Sequence, residues 1–499
     1  MASVVFSNDI RYYEDRDTYA SGNPYGDGSD RDKHTAEEAA AHTVVNITKP
    51  GAYRVTGKLS AGQIRVDLGF DAYYDPEAVV ELILDDADIT CTVAPAILFE
   101  NVYECDGEWS EDTAKADVDT TAAGANLILE GQNTVHGAYV AKIYKDTEGE
   151  KKLCKQDGAI YSYMSMNVYG PGALELTAEN EGMDTELHLT IHSGDITILS
   201  DNDGINTNED GVSVTTINGG ILTIYAGLGE EGDGIDSNGY LVINGGCVYS
   251  SAKPISDAGL DSDLGSYIHG GIVIATGSAM DWAESDSEQV TMNLQFAQQQ
   301  TAGAKITITD ESGAEIFSFQ DDSEFARGFR GLILSHPNFT VGSTYHVYAD
   351  GVQMVYSGNS LGGFPGGFGG GRGPGGFDPS QMGEMPEGFQ PGQMPEGFEM
   401  PEGFDPSQFE GRGDRPQGGR DNMMPPEGFD RERPEGMEMP EGFDPSQFEG
   451  RGPRPQGGEG MTPPEGFENF GGDPSANAEP STEFYMADKV NAFSGVKAL

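Results

Sequence analysis

The 499-residue chain is short of positive charge: 28 Lys and Arg stand against 83 Asp and Glu, for a formal net charge of −55. That balance excludes nucleic acid and anionic membranes as partners, because both need a basic footprint. It leaves cation binding, or a partner reached through a cation. Only four cysteines occur (Cys91, Cys105, Cys154 and Cys247), with no CxxC pair and no metal-ligand spacing, so no thiolate metal site is expected. No apolar run reaches 18 residues, so no membrane span is expected. The opening MASVVFSNDI lacks a basic segment followed by an apolar one. No signal peptide is therefore visible, and the chain is either cytosolic or an exported protein whose leader has been removed.

What the sequence does hold is a repeat. The segments IHSGDITILS (from Ile191), INGGILTIYA (from Ile217), INGGCVYSSA (from Ile243) and IHGGIVIATG (from Ile268) start 26, 26 and 25 residues apart. Short strands at a period in the twenties, with no helical periodicity between them, point to a solenoid. The LxxLxL frame of leucine-rich repeats is absent, which favours a parallel β-helix whose neighbouring coils lie about 4.8 Å apart. Ile191, Ile217, Ile243 and Ile268 would stack as one aliphatic ladder, and Ile196, Leu222, Val248 and Val273 as a second. The glycine pairs Gly219-Gly220, Gly245-Gly246 and Gly270-Gly271 suit tight corners.

A second repeated element lies between the strands. GMDTE (182–186), GINTN (204–208), GIDSN (234–238) and GLDSD (259–263) share the frame Gly-apolar-Asx-Ser/Thr, each preceded by acidic or Asn residues. Stacked coil upon coil these carboxylates would repel one another, and between Gln156 and Ala304 the only cationic side chain of Lys or Arg is Lys253. A hard cation resolves the conflict: calcium takes six to eight oxygen ligands in irregular geometry, whereas zinc needs His or Cys and magnesium stricter octahedra. The candidate ligands are Asp201, Asp203, Asn206, Asp233, Asp236, Asp257, Asp261 and Asp263. The competing explanation is a set of Asx turn caps and Asn ladders without metal.

Three further blocks, KPGAYRVTGKLSAGQIRVD, DGIDSNGYLVINGG and TAGAKITITDESGAEIFSF with GLILSHPNFTVGSTYHVY, occur in that order between Val44 and Ser357. In this combination the chain resembles the bacterial carbohydrate-binding β-helix family, typified by a secreted clostridial protein that binds cellulose and acidic sugars. The resemblance implies a right-handed parallel β-helix, bound calcium on the coils around Asp203, Asp233, Asp236, Asp257 and Asp261, and export from the cell. It also implies kinship with family 9 pectate lyases, in which calcium and a lysine base act together.

A lyase would need a base for the C5 proton of a uronate, and only Lys253 is available in the repeats. Carboxylates around it would favour its ammonium, which suits a salt bridge to Asp257 better than catalysis. A glycan binder would instead use calcium as a bridge to sugar carboxylates, or aromatics as stacking platforms. Tyr161 and Tyr163, two apart and hence on one strand face, are the candidates for the latter.

The sequence thus predicts an all-β chain: a polar lead (1–43), a parallel β-helix (44–281), and a β-hairpin region packed on the last coil (282–357). A Gly/Pro/Glu-rich segment follows (358–473), in which PEGF occurs six times and which is too poor in core-forming residues to fold. A tail (474–499) then regains apolar residues and is able to dock back. The expected function is an extracellular, calcium-binding protein for plant cell-wall polysaccharide, polygalacturonate or cellulose; the alternatives are a calcium-dependent lyase and a structural surface protein without a glycan ligand.

Overall fold

The computed structural model describes residues 5–7, 41–107, 113–144, 152–229, 231–278, 282–359 and 480–499. The polar lead from 8 to 40 and the PEGF-repeat segment from 360 lie outside the described residues. Within them the protein is all-β, with long parallel sheets and, apart from a 3-10 turn at Phe70–Tyr74, no helix.

Each repeat lays down three short strands joined by corners. One repeat runs Glu181–Thr185, Leu189–Ile191 and Asp195–Ser200. The next runs Ile205–Thr207, Val214–Ile217 and Ile221–Tyr225, and the next Ile235–Ser237, Tyr240–Ile243 and Cys247–Ser251. Every strand pairs in parallel with its counterpart one repeat later. The register sets Ile191 against Ile217, Ile243 and Ile268, and Ile196 against Leu222, Val248 and Val273. All eight are essentially fully buried. At roughly 1.5–3 kcal/mol for each buried aliphatic side chain, these inward ladders set the register, because a slip of one residue would turn them to solvent.

The second glycine of each corner pair, Gly220, Gly246 and Gly271, has φ near +90°, a conformation that other residues avoid. The glycine of the Gly-apolar-Asx frame has a different cause. A Cβ on Gly204 would lie 2.2 Å from Ile224 Cγ2 and 2.5 Å from the Gly234 carbonyl oxygen. Close backbone approach, rather than an unusual dihedral, demands glycine there.

Upstream, the same stacking extends through Thr43–Ile47, Gly62–Asp67, Ile97–Asn101 and Gly158–Ser162, which join the Glu181–Thr185 strand in one sheet. Two insertions interrupt it. Val140–Tyr144 and Lys152–Gln156 pair as an antiparallel ribbon. Residues 113–123 cross the second strand column, held by Ala114 N–H to the Gly211 carbonyl (2.9 Å) and by Thr120 Oγ1 to Asn167 Oδ1 (2.8 Å) and Thr190 Oγ1 (2.7 Å).

At the far end, Ile272–Gly277 pairs antiparallel with Gly331–Ser335, which also pairs with Thr291–Phe296. The last parallel edge is thereby covered rather than left open. A second hydrophobic core forms here around Met292, Phe296, Leu332, Val347 and Phe484. Tyr225 and Tyr249, on adjacent repeats, both donate hydroxyl hydrogen bonds to Asp321 of this block, at 3.2 and 2.9 Å. The tail completes it: Val490–Ala498 lies parallel to Thr291–Phe296, and Phe484–Tyr485 pairs with Thr344–Ala349.

Candidate functional site

The first strand of each repeat carries the acidic frames. Ile160, Met183, Ile205 and Ile235 are in register, and Ile235 bridges to Leu260. This apolar column fixes three outer ones by counting along each strand. One residue on stand Tyr161, Asp184, Asn206, Asp236 and Asp261. Three residues on stand Tyr163, Glu186, Asn208, Asn238 and Asp263. Two residues before it stand Glu181, Asp203 and Asp233.

These carboxylates crowd one another. Burial, then Glu181, Asp236 and Asp233, hold the Asp203 carboxyl well above the usual range. Burial, then Asp261, Asp233, Asp263 and Glu181, push Asp236 up to about 8. Asp263 is raised by burial and by Asp210 and Asp261. Some negative charge is met by amides: Asn208 Nδ2 donates to Asp184 Oδ1 (2.6 Å), the Asp233 N–H to Asp203 Oδ1 (2.7 Å), and the Ala258 N–H to Asp233 Oδ1. Asn206 lies between Asp184 and Asp236 in its column, is only 7 % exposed, and its Oδ1 has no hydrogen-bond partner. A buried carbonyl oxygen left so is costly. The tightest carboxylate group is Asp157, Glu181 and Asp184, whose oxygens lie within 4.8 Å of one another. Every donor atom here is an oxygen, the set that a hard divalent cation takes.

The structure therefore gathers Asp203, Asn206, Asp233, Asp236, Asp261 and Asp263 on one face. It adds Asp157, Glu181, Asp184 and Asn208 to them. Asp184 lies inside a repeated frame, so the period pointed to it, whereas Asp157 precedes its strand and carries no repeat signal. Two expected ligands do not fit. Asp201 lies beyond a corner, beside Glu179 and His136, which with burial set its carboxyl. Asp257 accepts the Gly232 N–H (3.1 Å) and faces Arg327. Nearness in sequence to Asp203 and Asp233 was misleading, since a corner separates the faces.

Tyr161 also departs from expectation. It does share a face with Tyr163, and the two rings meet edge-on at 5.1 Å, but Tyr161 is 0 % exposed and its hydroxyl donates to Glu186. A ring so enclosed offers no stacking surface, and Tyr163 is half-buried, accepting from Gln156 Nε2 at 3.1 Å. Lys253 Nζ donates to the Gly229 carbonyl at 2.8 Å. Cys91, Cys105 and Cys247 are free thiols.

The chain is similar to a carbohydrate-binding domain-containing protein of Acetivibrio thermocellus, 29% identical over 174 residues that make up 34% of this chain and 51% of the relative. It thus spans about half the length of the curated relative it matches. Among solved structures it is similar to a polysaccharide lyase-like protein from C. thermocellum, determined as a gadolinium derivative, at 25% identity and a TM-score of 0.30, over 46% of this chain and 83% of the other. A family model described as carbohydrate-binding domain-containing protein matches residues 41–323, which take in all the stacked strands and acidic columns described above. As that match covers more than half of the 499 residues, the chain belongs to the carbohydrate-binding domain-containing protein family.

Proposed function

We propose that this protein is a secreted right-handed parallel β-helix that holds calcium on its acidic face and there binds acidic plant cell-wall polysaccharide. The observation that carries the reading is the stacked column Asp184-Asn206-Asp236-Asp261 flanked by Glu181, Asp203 and Asp233, with the Asn206 carbonyl oxygen buried and unpartnered. Bound calcium would neutralise these columns and join protein carboxylates to those of a pectic chain. The chain's own part is to present oxygens from adjacent strands at the strand spacing and to keep competing lysines and arginines away. A surface of net charge −55 would repel polygalacturonate without such a bridge. Binding, rather than elimination, fits Lys253, whose ammonium is engaged by a backbone carbonyl.

The test is polygalacturonate binding in calcium and in EGTA, with absorbance at 235 nm followed in the same samples. Binding in calcium alone, without new absorbance, supports the proposal. Absorbance that grows with time and disappears in Lys253→Ala makes the protein a lyase. Equal binding in both buffers, or none in either, overturns the calcium-bridged mode.

A further inference from the structure

The second strand column has an outer face of a different kind. Val168, Ile191, Ile217, Ile243 and Ile268 are in register and point inward. One residue on, Tyr169, His192, Asn218, Asn244 and His269 form an outer column. The outer column on the other side is Asn167, Thr190, Thr216, Val242 and Tyr267. The inserted segment 116–123 walls this face and leaves a groove of two lobes. One, of about 440 Å³, is lined chiefly by apolar groups, among them Pro76, Val79, Ala123, Ile128 and Tyr169. The other, of about 230 Å³, is lined by Thr190, His192, Thr216, Asn218 and Asn244 beneath 116–121. Thr121 borders both lobes, so the groove runs across the strands, along the stacking direction.

Its polar groups form a directed chain. Asn244 Nδ2 donates to Asn218 Oδ1 at 2.8 Å, which orients the Asn218 amide so that its Nδ2 faces His192 Nδ1 at 3.4 Å. With Nδ1 accepting, the neutral imidazole carries its proton on Nε2, and burial lowers the His192 pKa, keeping the ring neutral. His192 Nε2 has no hydrogen-bond partner, nor has Thr216 Oγ1, although Thr216 is only 7 % exposed. Tyr169 stacks on His192 at 4.4 Å with the rings 3° from parallel, which fixes both rings. The groove therefore combines a rigid aromatic and apolar lobe with unspent neutral donors and acceptors at the strand spacing. The described residues lining it include no Lys or Arg, and Glu81, Asp117 and Asp119 give its walls negative charge.

We infer that this groove is a second, calcium-independent glycan site, which takes a neutral, hydroxyl-rich oligosaccharide laid across the strands. The apolar lobe and Tyr169 would take an apolar sugar face. His192 Nε2–H would donate to, and Thr216 Oγ1 exchange a hydrogen bond with, sugar hydroxyls in the polar lobe. The acidic walls would disfavour a uronate or a phosphate. The inference rests on the protein being a glycan binder and is independent of calcium on the acidic face.

The experiment is titration calorimetry in EGTA with neutral hexasaccharides (cellohexaose, xylohexaose, mannohexaose) and a galacturonate hexamer as the anionic probe. At least one neutral hexasaccharide should bind, and the galacturonate hexamer should not. Thr216→Val, which keeps shape and burial, should weaken that binding about fivefold, one net hydrogen bond. Tyr169→Ala should weaken it about tenfold or more, with loss of the stacking surface. Melting curves confirm that both variants are folded. Binding of no neutral hexasaccharide tighter than about 1 mM, or affinity unchanged in both variants, overturns the inference. Polygalacturonate binding in calcium, measured on the same variants, should be unaltered; its failure in wild-type protein counts against the acidic-face proposal alone.

Discussion

Two outer faces are built on the same stack with the same strand spacing, and they answer that spacing in opposite ways. On the second column, Asn218 and Asn244 satisfy each other, because an amide is donor on one side and acceptor on the other and so pairs with copies of itself. On the first column, Asp203, Asp233 and Asp236 stand where the amides would, and a carboxylate only accepts. Its neighbour in the stack is then a repulsion, relieved by a proton or a cation. Periodic stacking thus amplifies whatever side chain occupies a column: amides yield a ladder, carboxylates a site. This answers the choice between Asx caps and ligands with a division, since both devices occur and on different faces.

The largest effect should come from the scaffold that both faces share. Ile217 is fully buried between Ile191 and Ile243. Ile217→Ala should cost about 3 kcal/mol, read as a lower urea midpoint, and should weaken ligands of both faces together. Calcium should come next and distinguish the faces. At a concentration 100 times its Kd it should stabilise the protein by about 2.7 kcal/mol. That gain, seen as a melting-temperature rise that EGTA reverses, should be lost in Asp203→Asn and Asp236→Asn and kept in Asn218→Asp.

The pH dependence should follow from the same columns. Folded Asp236 has its pKa raised to about 8 from 3.8, and Asp203 is raised as well. The folded state then holds more protons than the unfolded one between about pH 4 and pH 8, so stability is greatest below that window and falls as pH rises through it. In EGTA the melting temperature should drop from pH 5 to pH 8. In calcium the drop should shrink, because cation and proton compete for the same oxygens. A melting temperature in EGTA that rises across this range would contradict the crowding of these carboxylates.

Much of this was legible in the sequence because a repeat places the same chemistry at a fixed offset. The ladders through Ile191 and Ile196, the corner glycines, and the gathering of Asp203, Asn206, Asp233, Asp236 and Asp261 all follow from one period near 26. What escaped lies where the period fails. Asp157 precedes the strand in which Tyr161 takes the Asx position. Asp201 adjoins Asp203 in sequence but is carried round a corner. The Tyr169–His192 stack spans 23 residues, off the period, and shows only once Val168 is paired with Ile191. The groove wall belongs to an insertion, whose conformation is set by contacts such as Thr120 with Thr190, seventy residues away, and by no local pattern.

The smallest effects should come from exchanging the two devices. Asp236→Asn gives the acidic face one self-pairing rung: the new amide would stand beside Asn206, whose buried Oδ1 could then accept from it. Without calcium at pH 8 this variant should be more stable than wild type, by about 1 kcal/mol for one net hydrogen bond, while losing the calcium response. The reverse exchange, Asn218→Asp, keeps the acceptor for Asn244 Nδ2 but removes the donor to His192 Nδ1. Asn218 is solvent-exposed, so its new charge would be screened and the cost should stay within about 0.5 kcal/mol. The local consequence is sharper than the global one. A carboxylate beside His192 Nδ1 favours a proton on that nitrogen, so the imidazole pKa should rise in an NMR titration of the ring. If ring pKa and stability both stay at their wild-type values, the amide chain does not orient His192, and the contrast between the two faces reduces to charge alone.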